Sequence, residues 1–208
     1  EDAYMDILAL GTVCDIMPLT DENRIFVKRG LRRLTNSTNL GINALKKALG
    51  LDGKPIEVHH LSFRIGPSLN STGRLESAKE GVELLLTDDP ARAESLAQDM
   101  AKLNELRKEM TDRGVRAATD WVRKDIRMIP TEDGVKEKKI GDDKVIVLYM
   151  PGIHESIAGL IASKLKEAFY RPTLVFTDAE NGQGLKGSGR SIETYNMFDK
   201  LCEHKELL

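Results

Sequence analysis

The chain has 208 residues, 31 Lys and Arg against 33 Asp and Glu, and a formal net charge of −2. That length holds one large domain or two small ones, and the near-neutral balance excludes a wholly basic nucleic-acid coat, so any polyanion site must be a local patch. No apolar run approaches the ~20 residues of a membrane span, and the N-terminal EDAYMDILALG has no basic n-region of a signal peptide.

Residues 4–10 (YMDILAL) are apolar enough for strand or helix, and GTVCD reads as a turn with Asp15 just past it. Pro18 breaks the segment. Thr20 then predicts the cap of a helix with Ile25, Val27, Leu31 and Leu34 on its apolar face. Asn39-Leu40-Gly41 opens a second helix over 42–49, stopped by Gly50. Residues 56–65 pack as helix, and Pro67 begins the segment GPSLNSTGR. Nothing in this first part has the period-2 pattern of a sheet. From Glu76 to about Asp125 the chain reads as helix in two pieces, broken at LLTDDP, with Asp88 or Asp89 as the second cap and Pro90 in the first turn. Leu96, Met100, Leu103, Leu106 and Met110 recur at spacings of three and four opposite a charged face. A helix of ~30 residues spans ~45 Å; it is either a strut joining two lobes or an amphipathic core helix. Residues 127–143, with Pro130 and Gly134, predict an exposed hairpin or loop. Strands at Val145–Met150, Pro172–Thr177 and Gly184–Arg190, with helices at His154–Phe169 and Thr194–Cys202, predict a small α/β lobe.

Three segments mix glycine with hydroxyl or amide residues and a cation or imidazole: Gly66–Arg74, His154–Gly159 and Lys186–Ser191. Glycine admits a ligand close to the backbone, and arginine grips phosphate with two parallel donors. Together they point to a phosphate-bearing ligand, nucleic acid foremost. His154 and Ser156 fall at a helix N-terminus, where an anion is favoured; capping the helix is the competing role. In KGSGRS, Gly187 and Gly189 weaken a predicted strand, and close approach of a ligand near Lys186, Ser188, Arg190 and Ser191 is the expected reason, with a bulge as the alternative. Asn70 and Arg74 are candidate phosphate contacts, or a turn residue and a surface charge. Asp15 alone reads as a helix cap or a metal ligand. His59 and His60 point ~100° apart on a helix and do not suit one ion. His204 lies in a charged tail. Cys14 and Cys202 are far apart in no CxxC pattern, which predicts reduced thiols in a cytoplasmic protein.

The strings LALGTVCDIMPL, NRIFVKRGL, RIGPSLNSTGRLESA, LNELRKEM, GIHESIAGLIASKLKEAFYRPTLVF and GLKGSGRSI, in this order, resemble the RecJ branch of the DHH phosphoesterase superfamily. The resemblance implies single-stranded-DNA exonucleases degrading from the 5′ end with two Mn2+ or Mg2+ ions, and single-stranded DNA as partner. It implies an α/β fold: a mostly helical remnant of a DHH domain over 1–88, a connecting helix over 89–126, and a truncated DHH-associated nucleic-acid-binding domain over 127–208. Asp15 matches the aspartate of the family's GTVAD motif, a metal ligand, with Cys14 in place of alanine. Asn70 and Arg74 match its NAxGR motif, whose arginine faces substrate phosphate; with Asp15, Arg74 is the expected catalytic residue. His154, with Ser156 behind it, matches the histidine opening the associated domain's helix. Lys186, Gly187, Ser188, Gly189, Arg190 and Ser191 cover its GSGRS motif, which contacts the nucleic-acid backbone.

The upstream aspartate segment and the DHH triplet are absent, Val58-His59-His60 does not replace them, and the downstream GGHxxAAG segment is missing. With no initial Met, this implies a piece of a longer enzyme, cut at both ends, inactive alone and holding no metal tightly. The alternatives are an oligonucleotide or cyclic-dinucleotide phosphodiesterase of the same superfamily, which the long helix disfavours, and a non-catalytic nucleic-acid-binding module.

Overall fold

A computed structural model of the chain describes residues 4–75, 77–131 and 134–207. The chain divides into two compact units, Glu1–Arg107 and Lys108–Leu208.

The regular structure of the first unit is helical among the described residues. They form α1 (Met5–Cys14), α2 (Asp21–Thr35), α3 (Leu40–Ala48), α4 (Val58–His60), a π-helical turn at Leu61–Ile65, α5 (Gly66–Leu75), α6 (Ala78–Leu86) and the first part of α7 (Pro90–Lys124). Ala9, Leu34, Leu45, Leu61, Leu84 and Met100 meet in one core. Each fully buried leucine of this kind contributes roughly 2 kcal/mol.

The GTVCD segment departs from its reading as a turn: Gly11 to Cys14 complete α1. Met5, Ala9 and Val13 recur every four residues and are buried, and that burial outweighs the ~1 kcal/mol cost of a glycine inside a helix. The stop comes after Asp15. Ile16 N–H bonds Val13 O at 3.1 Å and Met17 N–H bonds Thr12 O at 3.1 Å, the paired bonds of a Schellman motif. Ile16 holds the left-handed position at φ 55°.

Caps legible in the sequence recur. Asn39 accepts Ile42 N–H at 2.9 Å, and Gly50, at φ 64°, lies just past α3. Asp89 accepts Ala91 N–H at 2.9 Å ahead of α7. Thr20 holds the N-cap of α2 without a side-chain bond. Lys46 is 4% exposed; its ammonium donates to the carbonyls of Leu34 and Thr35 at 2.9 Å and to Asn43 at 3.2 Å, closing the end of α2.

The run from Val58 to Leu75 is helical with one wide turn. Gly66 N–H reaches back five residues to Leu61 O. Pro67 follows at once. It has no N–H, and its ring crowds the carbonyl four residues back, so the wider turn accommodates it. Glu76, where the sequence starts a helix, lies outside the described residues; α6 begins at Ala78 behind the cap Ser77.

The second unit holds the rest of α7, the hairpin β1 (Ile126–Thr131) and β2 (Gly134–Lys139), then β3 (Ile146–Tyr149), α8 (Glu155–Phe169), β4 (Thr173–Asp178), β5 (Leu185–Arg190) and α9 (Met197–Cys202). The hairpin is antiparallel from Ile126↔Lys139 to Thr131↔Gly134; residues 132 and 133 lie outside the description. The sheet order is β3-β4-β5. β3 and β4 are parallel and joined by α8, while β5 returns antiparallel. Ile157, Ile161 and Leu165 of α8 pack with Ile146, Leu148 and Val175 of the sheet and with Ala118 and Val122 of α7. The last helix starts at Met197, three residues later than Thr194, because Asn196 caps it and Ile192 pairs with Tyr195 before it. No described helix is long and apolar enough to cross a membrane.

Candidate nucleic-acid interface

In the second unit, residues expected at the site converge on the first turn of α8 and the α8-facing side of β5. Side chains alternate along a strand. Lys186, Ser188 and Arg190 therefore share one face, and Gly187 and Gly189 the other. Lys186 is ion-paired with Glu155, and Glu155 also accepts Glu180 N–H at 3.3 Å. Ser188 and Arg190 lie over Gly159, where a Cβ would come within 2.7 Å of Ser188 Oγ and 2.9 Å of Arg190 Nη2. Arg190 Nη1 donates to Gly189 O at 2.7 Å and to Ser188 Oγ at 3.4 Å.

His154 is the N-cap of α8. Its Nδ1 accepts Ser156 N–H at 3.3 Å and lies 2.8 Å from Ser156 Oγ, while its Nε2 lies 2.9 Å from Glu180 Oε1. The capping role is thus real, and it aims the imidazole along the outer edge of the same surface. Beside it opens a pocket of about 300 Å³, walled by Arg113 and Gly114 of α7 and by Ile153 and Ile157. The Lys186–Glu155 pair shifts both of its members. The hydrogen bond from Lys186 holds the Glu155 carboxyl below its ordinary range, and Glu155 in turn raises the Lys186 ammonium.

The two glycines of KGSGRS have a different cause from the one the sequence suggested. A Cβ on Gly187 would run into the Phe176 ring, and one on Gly189 would lie 2.7 Å from Met197 Sδ and 2.9 Å from Leu174 Cδ2. The strand is glycine-rich to admit its own neighbours on the far face of the sheet. Ser191 Oγ accepts Met197 N–H at 3.0 Å, so this hydroxyl seats α9.

In the first unit, GPSLNSTGR forms α5. Ser68, Ser71 and Thr72 are buried, and their hydroxyls bond the carbonyls of Arg64, Ser68 and Leu69 at 2.6–2.9 Å. Asn70, Gly73 and Arg74 face outward and line an open groove of about 510 Å³ with Ala78, Gly81 and Val82 of α6. Of the polar side chains in the hydroxyl-rich segment, those of Asn70 and Arg74 are exposed on this groove, while the hydroxyls are turned inward.

Asp15 is exposed at the end of α1. Next to it Val13, Cys14, Ile16, Met17, Val58 and Phe63 line an apolar groove of about 420 Å³. Cys14 Sγ donates to Leu61 O at 3.8 Å, and burial raises its pKa. No group of three or more His, Cys, Asp or Glu suited to a metal ion occurs among the described residues. A two-metal centre needs several such ligands, so the described residues do not by themselves fit one. His59 and His60 are engaged locally: His60 Nδ1 accepts Glu57 N–H at 3.1 Å, and His59 Nδ1 lies 3.2 Å from Glu57 Oε2.

No protein-family model matches the chain. Among curated proteins, the single-stranded-DNA-specific exonuclease RecJ of Bacillus subtilis is 34% identical over 207 residues, covering all of this chain and 25% of the relative. The same exonuclease of Haemophilus influenzae is 36% identical over 199 residues, covering 95% and 32%. Among solved structures, RecJ of Thermus thermophilus in complex with Mg2+ superposes with a TM-score of 0.79 at 32% identity, covering 99% of this chain and 29% of that one. The chain is homologous to RecJ along its whole length. It spans about a quarter to a third of those curated RecJ proteins. A further RecJ structure, bound to manganese, matches with a TM-score of 0.76 over 96% of this chain and 45% of that one.

Proposed function

We propose that the chain is part of a RecJ-type exonuclease, a cytoplasmic enzyme that hydrolyses single-stranded DNA from the 5′ end with Mn2+ or Mg2+. Within it, Arg190, Lys186, Ser188 and His154 hold backbone phosphates, with Gly187 and Gly189 keeping β5 thin, Ser191 seating α9 and Ser156 orienting the imidazole. Asn70 and Arg74 orient substrate phosphate along the α5–α6 groove. Asp15 supplies one carboxylate to the divalent ions. The carrying observation is the row Lys186–Ser188–Arg190 facing the α8 N-terminus, in a chain whose whole length is homologous to single-stranded-DNA-specific exonucleases. Such a row binds phosphate without reading bases.

The 208-residue chain is expected to bind labelled oligo-dT weakly and without metal. Arg190→Ala should weaken binding equally across sequences and lower the slope of log K against log salt by about 0.7, the value for one phosphate contact on a single strand. The chain alone is expected not to cleave with Mn2+, whereas the longer enzyme should degrade single-stranded DNA and lose that activity with Asp15→Ala. Unchanged affinity and salt slope in Arg190→Ala would make the GSGRS strand purely structural.

A further inference from the structure

Most N–H donors of this face are already occupied. Lys186 is ion-paired with Glu155, and His154 Nε2 lies 2.9 Å from Glu180 Oε1. The two acids are linked, since the backbone N–H of Glu180 donates to Glu155 Oε2. The Glu155 side chain is 19% exposed and sits in the first turn of α8, where the helix dipole favours a carboxylate. Glu180 lies between β4 and β5 with a side chain 55% exposed. Arg190 differs: among the described residues its guanidinium bonds only Ser188 Oγ and Gly189 O, with no carboxylate within ion-pair distance.

We propose that Glu155 and Glu180 set the affinity of this interface: they occupy Lys186 and His154 in place of backbone phosphates and must be displaced when a strand binds. The proposal rests on the reading of this face as a single-stranded-DNA interface. Carboxylate and phosphate oxygens compete for the same N–H donors, the Lys186 ammonium and the His154 imidazole. The carboxylates are tethered beside those donors, so the incoming phosphate must outcompete an intramolecular partner. Arg190 meets it with no carboxylate partner to displace among the described residues. The side chain of Glu180 can swing into solvent once displaced. Glu155 is held by its helix and stays near the phosphate as a like charge, so its effect is the larger.

The test uses the 208-residue chain, fluorescein-labelled oligo-dT and chelator, with anisotropy followed across salt. At low salt, Glu155→Gln is expected to tighten binding about tenfold and Glu180→Gln about threefold, the scale of one surface charge interaction. Each should steepen the salt slope by up to ~0.7 as one phosphate contact is gained, and Arg190→Ala should weaken every variant. If Arg190→Ala weakens binding while both glutamine variants bind as the unmutated chain or worse, the carboxylates do not compete and the proposal falls, with the interface standing. If Arg190→Ala changes nothing, the interface falls and the proposal with it. Should the unmutated chain bind too weakly to measure, the double variant decides: binding by it supports the proposal, and silence overturns both. Circular dichroism monitors folding, and Glu180→Gln carries the test alone if Glu155→Gln does not fold.

Discussion

Ile16 occupies a position that favours glycine. At φ 55° and 88% exposed, it is a β-branched residue in the left-handed region, at a cost of ~1–2 kcal/mol. It directly follows Asp15, so the strain sits beside the residue proposed as a metal ligand. Ile16→Gly is expected to raise the melting temperature by about 2–4 °C, the shift for ~1 kcal/mol in a chain of this size, with part of the relief offset by the freer unfolded chain. Thermal denaturation checks it; a lower melting temperature would mean that Ile16 packing in its groove outweighs the backbone strain. Neither this strain nor the burial of Lys46 was legible in the sequence. A lysine reads as surface, and only the converging carbonyls of Leu34 and Thr35 show why it is inside.

At the scale of elements, α8 and β5 are fitted through Gly159. Alanine favours a helix over glycine by ~1 kcal/mol, yet a Cβ here would press on Ser188 Oγ and Arg190 Nη2, the ends of movable side chains. Gly159→Ala is therefore expected to keep stability within about 1 kcal/mol while lowering oligo-dT affinity, read by melting and anisotropy side by side. Loss of stability with unchanged affinity would place Arg190 elsewhere when it binds. The strands, α8 and the caps at Asn39 and Asp89 were legible because their signals are local. The cause of Gly187 and Gly189 was not, because Phe176, Leu174 and Met197 meet them only through the β4–β5 register and the placement of α9. The link from Glu180 to the α8 N-terminus likewise joins residues distant in the chain.

Across the molecule the charges are nearly balanced, and several exposed carboxylates are paired. Bonds from Arg92, Lys47, Lys186 and Lys200 hold Glu83, Glu94, Glu155 and Glu203 below their ordinary value of 4.5. A carboxyl whose pKa is depressed in the fold contributes stability that is complete above its unfolded pKa and is lost as pH falls through the folded value. Melting temperature is thus expected to hold from neutrality to about pH 5 and to decline below 4.5. The pairs are exposed, so the decline should shrink in high salt. The homology to RecJ was legible at this scale chiefly through the order of the motif strings, which a search for metal-ligand spacing alone would have missed with Asp15 standing by itself.

The wide turn at Leu61–Ile65 sets a rotational phase. A helix advances ~100° per residue, so one additional residue in the turn turns everything after it. With it, Ser71 and Thr72 point into the core and Asn70 and Arg74 out to the groove. The aim of Arg74 is therefore encoded upstream of it, in a stretch whose own side chains lie outside that groove. A deletion there would leave the GPSLNSTGR string intact to any reader of the sequence and still turn its arginine away from the groove.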